Sequence, residues 1–228
     1  MRSSRFSVTL LIGAPGSGKG TQAANVQKEL GIPHVATGDL LRDHCRQGTD
    51  LGKTAQVYMD RGDLVPDHLV VKMVIDRLGL PDAARGVLLD GFPRTLAQAE
   101  ALDRELILRG GGVETALFLD VPSPVILRRL SGRRICEGCN GSFHVDLHQL
   151  PRDGSCPTCR RFLVLRHDDQ RAAVTRRISV FHEQTAPVIS HYRARGVLHR
   201  VNGHQSVDKI WTELLEILQR PDPALAAS

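Results

Sequence analysis

The chain has 228 residues, 41% hydrophobic and 24% charged, the make-up of one soluble globular domain with room for an insert. A formal net charge of +5 and a pI near 9.2 suit anionic ligands. The 25 Arg and 5 Lys are scattered rather than blocked, which speaks against a nucleic-acid or membrane-surface face, and no run of 18 apolar residues is present to span a membrane.

In chain order, Val8-Thr9-Leu10-Leu11-Ile12 reads as a buried strand. This run is too short for the apolar region of a signal peptide, so a cytoplasmic chain is expected. Residues 19–30 read as a helix ended by Gly31 and stopped by Pro33. A short second strand follows over 33–36, then helices over 38–47, 51–61 and 66–78. The third strand is 86–90, followed by a helix over 95–109. The fourth strand is 116–120, and 122–131 is a helix with Pro in its first turn. Beyond a cysteine-bearing insert, 169–195 reads as one long helix bent near Pro187. A fifth strand over 197–201 and a helix over 207–219 complete the chain. Apolar strands alternating with helices predict an α/β fold, a five-stranded parallel sheet covered on both faces. Ligands of such sheets bind beyond the carboxyl ends of the strands, where the polar motifs of this chain fall.

The first motif, GAPGSGKGT over 13–21, lies between a strand and a helix. Gly16, Ser17 and Gly18 let backbone N–H groups turn around a polyphosphate, and the helix N-terminus adds partial positive charge. Lys19 can reach the oxygens of the phosphate being transferred. The usual Ser or Thr after the lysine is Gly20, and Thr21 comes one place later. The hydroxyl that commonly holds magnesium is displaced or absent. The second motif is Thr37-Gly38-Asp39, followed by Arg42. The third is Asp90-Gly91-Phe92-Pro93-Arg94, with Gln98 one helical turn on. Arg42 and Arg94 can grip a second phosphate through bidentate contacts, and the Gln98 amide can read a base edge. Asp90, ending a strand near Lys19, is placed to orient hydrated magnesium. Plainer readings exist: Asp39 as a helix N-cap, Arg42 on a solvated helix face.

Cys136, Cys139, Cys156 and Cys159 form two C-x-x-C knuckles with standard ribbon spacing, a structural zinc site. His144 and His148 lie between the knuckles as alternative ligands, and Cys45 reads as a buried reduced thiol.

Together the series GAPGSGKGT, TGDLLR and LDGFPRTLAQ resembles adenylate kinase, in order and spacing, from Val8 to about Leu218. Gly20 is itself typical of that family. The resemblance implies reversible transfer of the terminal phosphate of ATP to AMP, giving two ADP, with magnesium. It implies donor-phosphate contacts from Arg129 and Arg133, and contacts to both substrates from Arg166 and Arg177. It implies an ATP side lined by Ser142, Phe143 and the backbone of Gln205, and an AMP side lined by Asp63-Leu64-Val65. Asp168 and Asp169 would mark the hinge of a lid, although Arg166 with these two acids is equally a salt-bridge cluster. The cysteines fall where one subgroup binds zinc in that lid. The implied units are core 1–35, 66–131 and 170–220, an AMP-binding subdomain 36–65, a zinc lid 132–169 and a mobile tail 221–228. Departures include Phe143 for a lid Tyr, Arg171 for an acid, and Val201-Asn202-Gly203 for V-D-G. A different donor or acceptor, such as GTP with AMP, is the alternative within the class. The expected partners are ATP, AMP and ADP, with no nucleic acid, no membrane and a monomeric chain.

Overall fold

The computed structural model describes residues 6–139, 141–146, 150–166 and 169–220. The chain begins with β1 (Ser7–Ile12), α1 (Lys19–Leu30) and β2 (His34–Ala36). Helices α2 (Thr37–Arg46), α3 (Asp50–Arg61) and α4 (Asp67–Leu78) follow. Then come β3 (Gly86–Asp90), α5 (Leu96–Leu108), β4 (Gly112–Asp120) and α6 (Ser123–Ser131). The insert carries β5 (Arg133–Cys136), β6 (Ser142–His144) and β7 (Leu163–Val164). The chain then runs through α7 (Arg171–Val180), α8 (Ala186–Ala194), β8 (Leu198–Asn202) and α9 (Val207–Leu218).

Five of the strands form one sheet in the order β2-β3-β1-β4-β8, and every pair in it is parallel. The two-residue period of a strand sends side chains to opposite faces. Val8, Leu10 and Ile12 of β1 enter one cluster, with Val74 of α4, Leu102 of α5 and Tyr192 of α8. Leu11 enters the other, with Val26 of α1 and Leu214 of α9. Both faces are therefore buried, which is why the strands read as continuous apolar runs. A third cluster joins Ala14 and Val121 to Leu130 of α6 and Ile178 of α7.

Two elements differ from the expectation. β4 begins at Gly112 rather than 116, and its register against β1 shifts between Val8 and Thr9. Glycine and a charged Glu114 hide this end, yet the Ser7 hydroxyl donates to the Glu114 carboxylate there. The single helix expected over 169–195 is two helices joined by a π-helical turn, Phe181–Thr185. Pro187 sits in the first turn of α8. It has no N–H to give and its ring crowds the carbonyl one turn back, so the backbone widens there. The insert folds as a three-stranded antiparallel sheet in the order β6-β5-β7. Asp168, His148 and the tail 221–228 lie outside the described residues.

Candidate active site

The chain leaves β1 at Ile12 and turns through 13–18 into α1. Gly16 (φ 79°) and Gly18 (φ 101°) hold left-handed backbone that L side chains rarely adopt. A Cβ on Gly16 would lie 2.7 Å from Leu130 Cγ, so the loop is packed directly on α6. Ser17 is buried. Arg129 of α6 donates to the Ser17 carbonyl at 3.2 Å and to the Gly203 carbonyl at 2.9 Å, stitching the loop to the turn after β8. Lys19 donates to the carbonyls of Gly13 (2.8 Å) and Ala14 (3.0 Å). Burial pushes its ammonium down from 10.5 to about 8. Asp90 acts in the opposite sense, while the positive charges of Arg94, Arg177 and Arg133 act with burial. Groups from β3, the loop after it, α7 and β5 thus converge electrostatically on one lysine. Gly20 and Thr21 are both exposed, so neither supplies a buried hydroxyl.

β2 and β3 are neighbours in the sheet, with Ala36 opposite Asp90. Their carboxyl ends bring the second and third motifs together. Thr37 is buried, and its hydroxyl is 2.9 Å from the Gly91 carbonyl and 3.3 Å from that of Asp90. Gly91 (φ 74°) lets the chain double back, and Arg94 Nε donates to the Gly91 carbonyl at 2.8 Å. Phe92 and Pro93 are buried, which fixes the loop to the core. Arg42 pairs with Asp39 one turn earlier in α2, and that helix is capped by Ala36 without a side-chain bond. Asp39 is therefore a first-turn partner of Arg42 rather than an N-cap.

Gln98 is 2% exposed. Its Oε1 accepts from Arg94 N at 2.8 Å and its Nε2 donates to Asp67 Oδ1 at 2.7 Å. One acceptor lone pair and one N–H of the amide are left over. Val65 packs in the core and Leu64 is half-buried, while the Asp63 carboxylate takes Arg176 Nε at 2.7 Å.

Between the two sheets, the buried Asp169 carboxylate accepts from Arg133 Nε at 2.6 Å and from Arg177 at 3.2 Å. The aspartate thus joins the first residue of the inserted sheet to α7; of the two acids expected to cluster with Arg166, Asp169 pairs with Arg133 and Arg177, and Asp168 lies outside the described residues. Arg166 is half-buried just before this junction. Ser142 is exposed and Phe143 half-buried on β6. The Gln205 Nε2 donates to Asn202 O (3.1 Å) and to Glu213 Oε1 (2.6 Å), which uses both of its N–H groups.

In the insert, the Sγ atoms of Cys136, Cys139, Cys156 and Cys159 all lie within 4.8 Å of one another. Cys136 and Cys159 are 3.2 Å apart and Cys139 and Cys156 3.6 Å, well beyond a disulfide bond. Four sulfurs at about 2.3 Å from a tetrahedral zinc would be separated by roughly 3.8 Å, so the donor set fits zinc with no position open for chemistry. His144 belongs elsewhere: its Nδ1 accepts from Asp146 N at 3.1 Å, and its ring lies over Gly132.

Three contributors were not anticipated. His34 Nε2 lies 3.4 Å from Asp90 Oδ2. Thr185, in the π-helical turn, donates to the Arg94 carbonyl at 2.9 Å. Asp67 accepts from Thr95 Oγ1 at 2.8 Å as well as from Gln98. None of the three had a signal of its own in the sequence; Thr95-x-x-Gln98 is a capping-box pattern, and the Thr95 hydroxyl accepts from Gln98 N at 3.1 Å, while the Gln98 side chain turns to Arg94 N.

The family model described as adenylate kinase matches residues 11–197. An adenylate kinase of Lachnospira eligens is 45% identical over 209 residues, covering 92% of this chain and 98% of the relative. That of Caldicellulosiruptor bescii is 46% identical over 209 residues, covering 92% and 97%. That of Desulforudis audaxviator is 47% identical over 211 residues, covering 92% and 99%. The family match spans the phosphate loop, both sheet-edge motifs and the four-cysteine insert, and the chain belongs to the adenylate kinase family.

Proposed function

We propose that this chain transfers the terminal phosphoryl group of magnesium-bound ATP to AMP, reversibly and in line, giving two ADP, and so balances adenine nucleotides. The observation that carries the proposal is that the paired carboxyl ends of β1, β2 and β3, with Leu11 and Ala36 both opposite Asp90, bring the phosphate loop and the two sheet-edge motifs together, where Asp90, Arg94, Arg133 and Arg177 act on Lys19. A phosphoryl group in flight carries its charge on three oxygens, and catalysis is largely a matter of fixed positive charge and alignment. Lys19 and the N–H groups of Gly16, Ser17, Gly18, Gly20 and Thr21 hold the donor phosphates. Arg129 shapes that loop, and Arg133 reaches in from β5. Phe143, Ser142 and the Gln205 backbone flank the ATP base. Arg42 and Arg94 hold the acceptor phosphate, and Gln98 reads its base. Thr37, Gly91, Phe92, Pro93 and 63–65 shape that side. Arg166 and Arg177 span both substrates.

Asp90 is the one carboxylate of the set at the sheet edge beside the loop, and Gly20 leaves no hydroxyl directly after Lys19. That donor set fits magnesium arriving on ATP with most of its waters kept. Magnesium would neutralise phosphate charge there, with Asp90 orienting its hydration. Zinc would serve the insert alone, as a staple for a small sheet. In this reading 36–65 moves as the AMP-binding unit and 132–169 as a lid. Lid closure over bound ATP excludes water, so that phosphate passes to AMP and not to solvent. A monomer in the cytoplasm completes the proposal.

The test is a phosphorus NMR time course with magnesium ATP and, separately, AMP, GMP, CMP, UMP or no acceptor. Rapid ADP formation with AMP alone is expected. Equal turnover with another monophosphate would move the acceptor assignment, and hydrolysis at one rate in every tube would defeat it.

A further inference from the structure

Gln98 has to choose which way round its amide stands. An amide presents a carbonyl acceptor and an NH2 donor of nearly the same shape, and only its partners decide the sense. Here the partners leave no freedom. Arg94 N can only donate, and it lies 2.8 Å from Oε1. The Asp67 carboxylate accepts, and it lies 2.7 Å from Nε2. Turning the amide over would set donor against donor and acceptor against acceptor, in a residue only 2% exposed. The Asp67 carboxylate is itself held, since its other oxygen accepts from Thr95 Oγ1 at 2.8 Å, and Thr95 caps the helix that carries Gln98.

The sense of the amide decides which purine it can pair with. Adenine offers a 6-amino donor beside an N1 acceptor. Hypoxanthine and guanine offer the reverse, a 6-oxo acceptor beside an N1–H donor. One amide cannot satisfy both patterns without turning over. A site whose buried polar groups are fixed rejects the mismatched ligand strongly, because those groups are left unpaired.

We propose that Asp67 is a specificity-determining positioning residue: by taking the Gln98 amino group it leaves the Gln98 carbonyl to receive the 6-amino group of adenine, and so excludes 6-oxopurine monophosphates. Asp67 acts through Gln98 and does not itself touch the substrate. This role rests on the AMP-accepting reading of the site.

The experiment measures kcat/KM with magnesium ATP for AMP and for IMP, which differs from AMP at purine position 6 and in the N1 proton. Wild type, Asp67→Asn and Asp67→Ser are compared, with thermal melting to certify the folded state; either folded variant suffices. Without the carboxylate the amide can turn, although Arg94 N still favours its present sense. The preference for AMP over IMP should therefore fall about tenfold or more, with kcat/KM for IMP rising in absolute terms. An equal loss with both acceptors, at an unchanged ratio, would overturn the role, because bracing α4 and α5 alone predicts that result. Gln98→Ala separates the two failures. If it erases the preference while the Asp67 variants keep it, Gln98 reads the base and Asp67 does not set it. If Gln98→Ala also retains the full preference, the base is read elsewhere and both claims fall.

Discussion

Lys19 is the residue whose environment makes the clearest statement about pH. Burial and three arginines lower its pKa from 10.5 to about 8, against the pull of Asp90. The unfolded chain keeps the ordinary value. Between about pH 8 and pH 10.5 the unfolded state therefore binds more protons than the folded one, and this residue makes stability rise with pH across that window. Activity responds the opposite way. The free enzyme loses the Lys19 charge as pH passes 8, and a neutral amine attracts phosphate poorly. kcat/KM for ATP should fall above about pH 8, whereas kcat should hold to higher pH because bound phosphate favours the ammonium. Lys19→Ala should lose the limb and lower kcat by about 10²–10³, the usual cost of one stabilising donor. A kcat/KM profile flat to pH 10 in wild type would show that Lys19 of the free enzyme does not lose its proton near pH 8.

At the level of elements, the inserted sheet differs in kind from the main one. No residue of β5, β6 or β7 enters the hydrophobic clusters of the five-stranded sheet. Among the described residues of 133–164, the buried side chains are Cys136, Ser155 and Cys156. A sheet so small cannot bury enough surface to fold alone, so in the zinc reading its stability would come from a metal held by the four cysteines. Cys156→Ser, or a chelator at neutral pH, should release about one zinc per chain and abolish amide protection in β5–β7. Protection in β1, β3 and β4 should be unchanged. Exchange and mass spectrometry read both regions at once; retained protection in the insert after metal loss would refute the stapling role. The same contrast explains what was legible in the sequence. The main strands were plain because two buried faces demand unbroken apolar runs, as in Val8–Ile12. The insert strands were not, because three strands of four, three and two residues carry little periodicity. The π-helical turn escaped because Pro187 marks a distortion without specifying its form. Most of the candidate site residues are motif positions in the sequence. Asp67, Thr185 and the neighbouring His34 are not, since each meets across the fold a partner at least 28 residues away in sequence.

At the scale of the whole molecule, the two sheets meet electrostatically at Asp169. Its carboxylate is fully buried, with Arg133 of the insert and Arg177 of α7 on it. Removing one member of a buried ionic group leaves the others uncompensated, at a cost of about 3–5 kcal/mol. Asp169→Asn keeps the shape of the side chain but leaves two guanidinium groups without their shared anion. Both arginines belong to the charge set that acts on Lys19, so phosphoryl transfer should slow. A second effect follows if the insert serves as the lid. With its base untethered, closure should seal the site less completely, and water should compete better with AMP for the phosphoryl group. The ratio of transfer to ATP hydrolysis should therefore fall in Asp169→Asn, not merely the rate of transfer. The two are separated by following inorganic phosphate and ADP together, with and without AMP. A variant slower in both by the same factor would mean that Asp169 only places charge. A variant in which hydrolysis holds while transfer drops would mean that the buried triad is also what seats the insert over the donor phosphates.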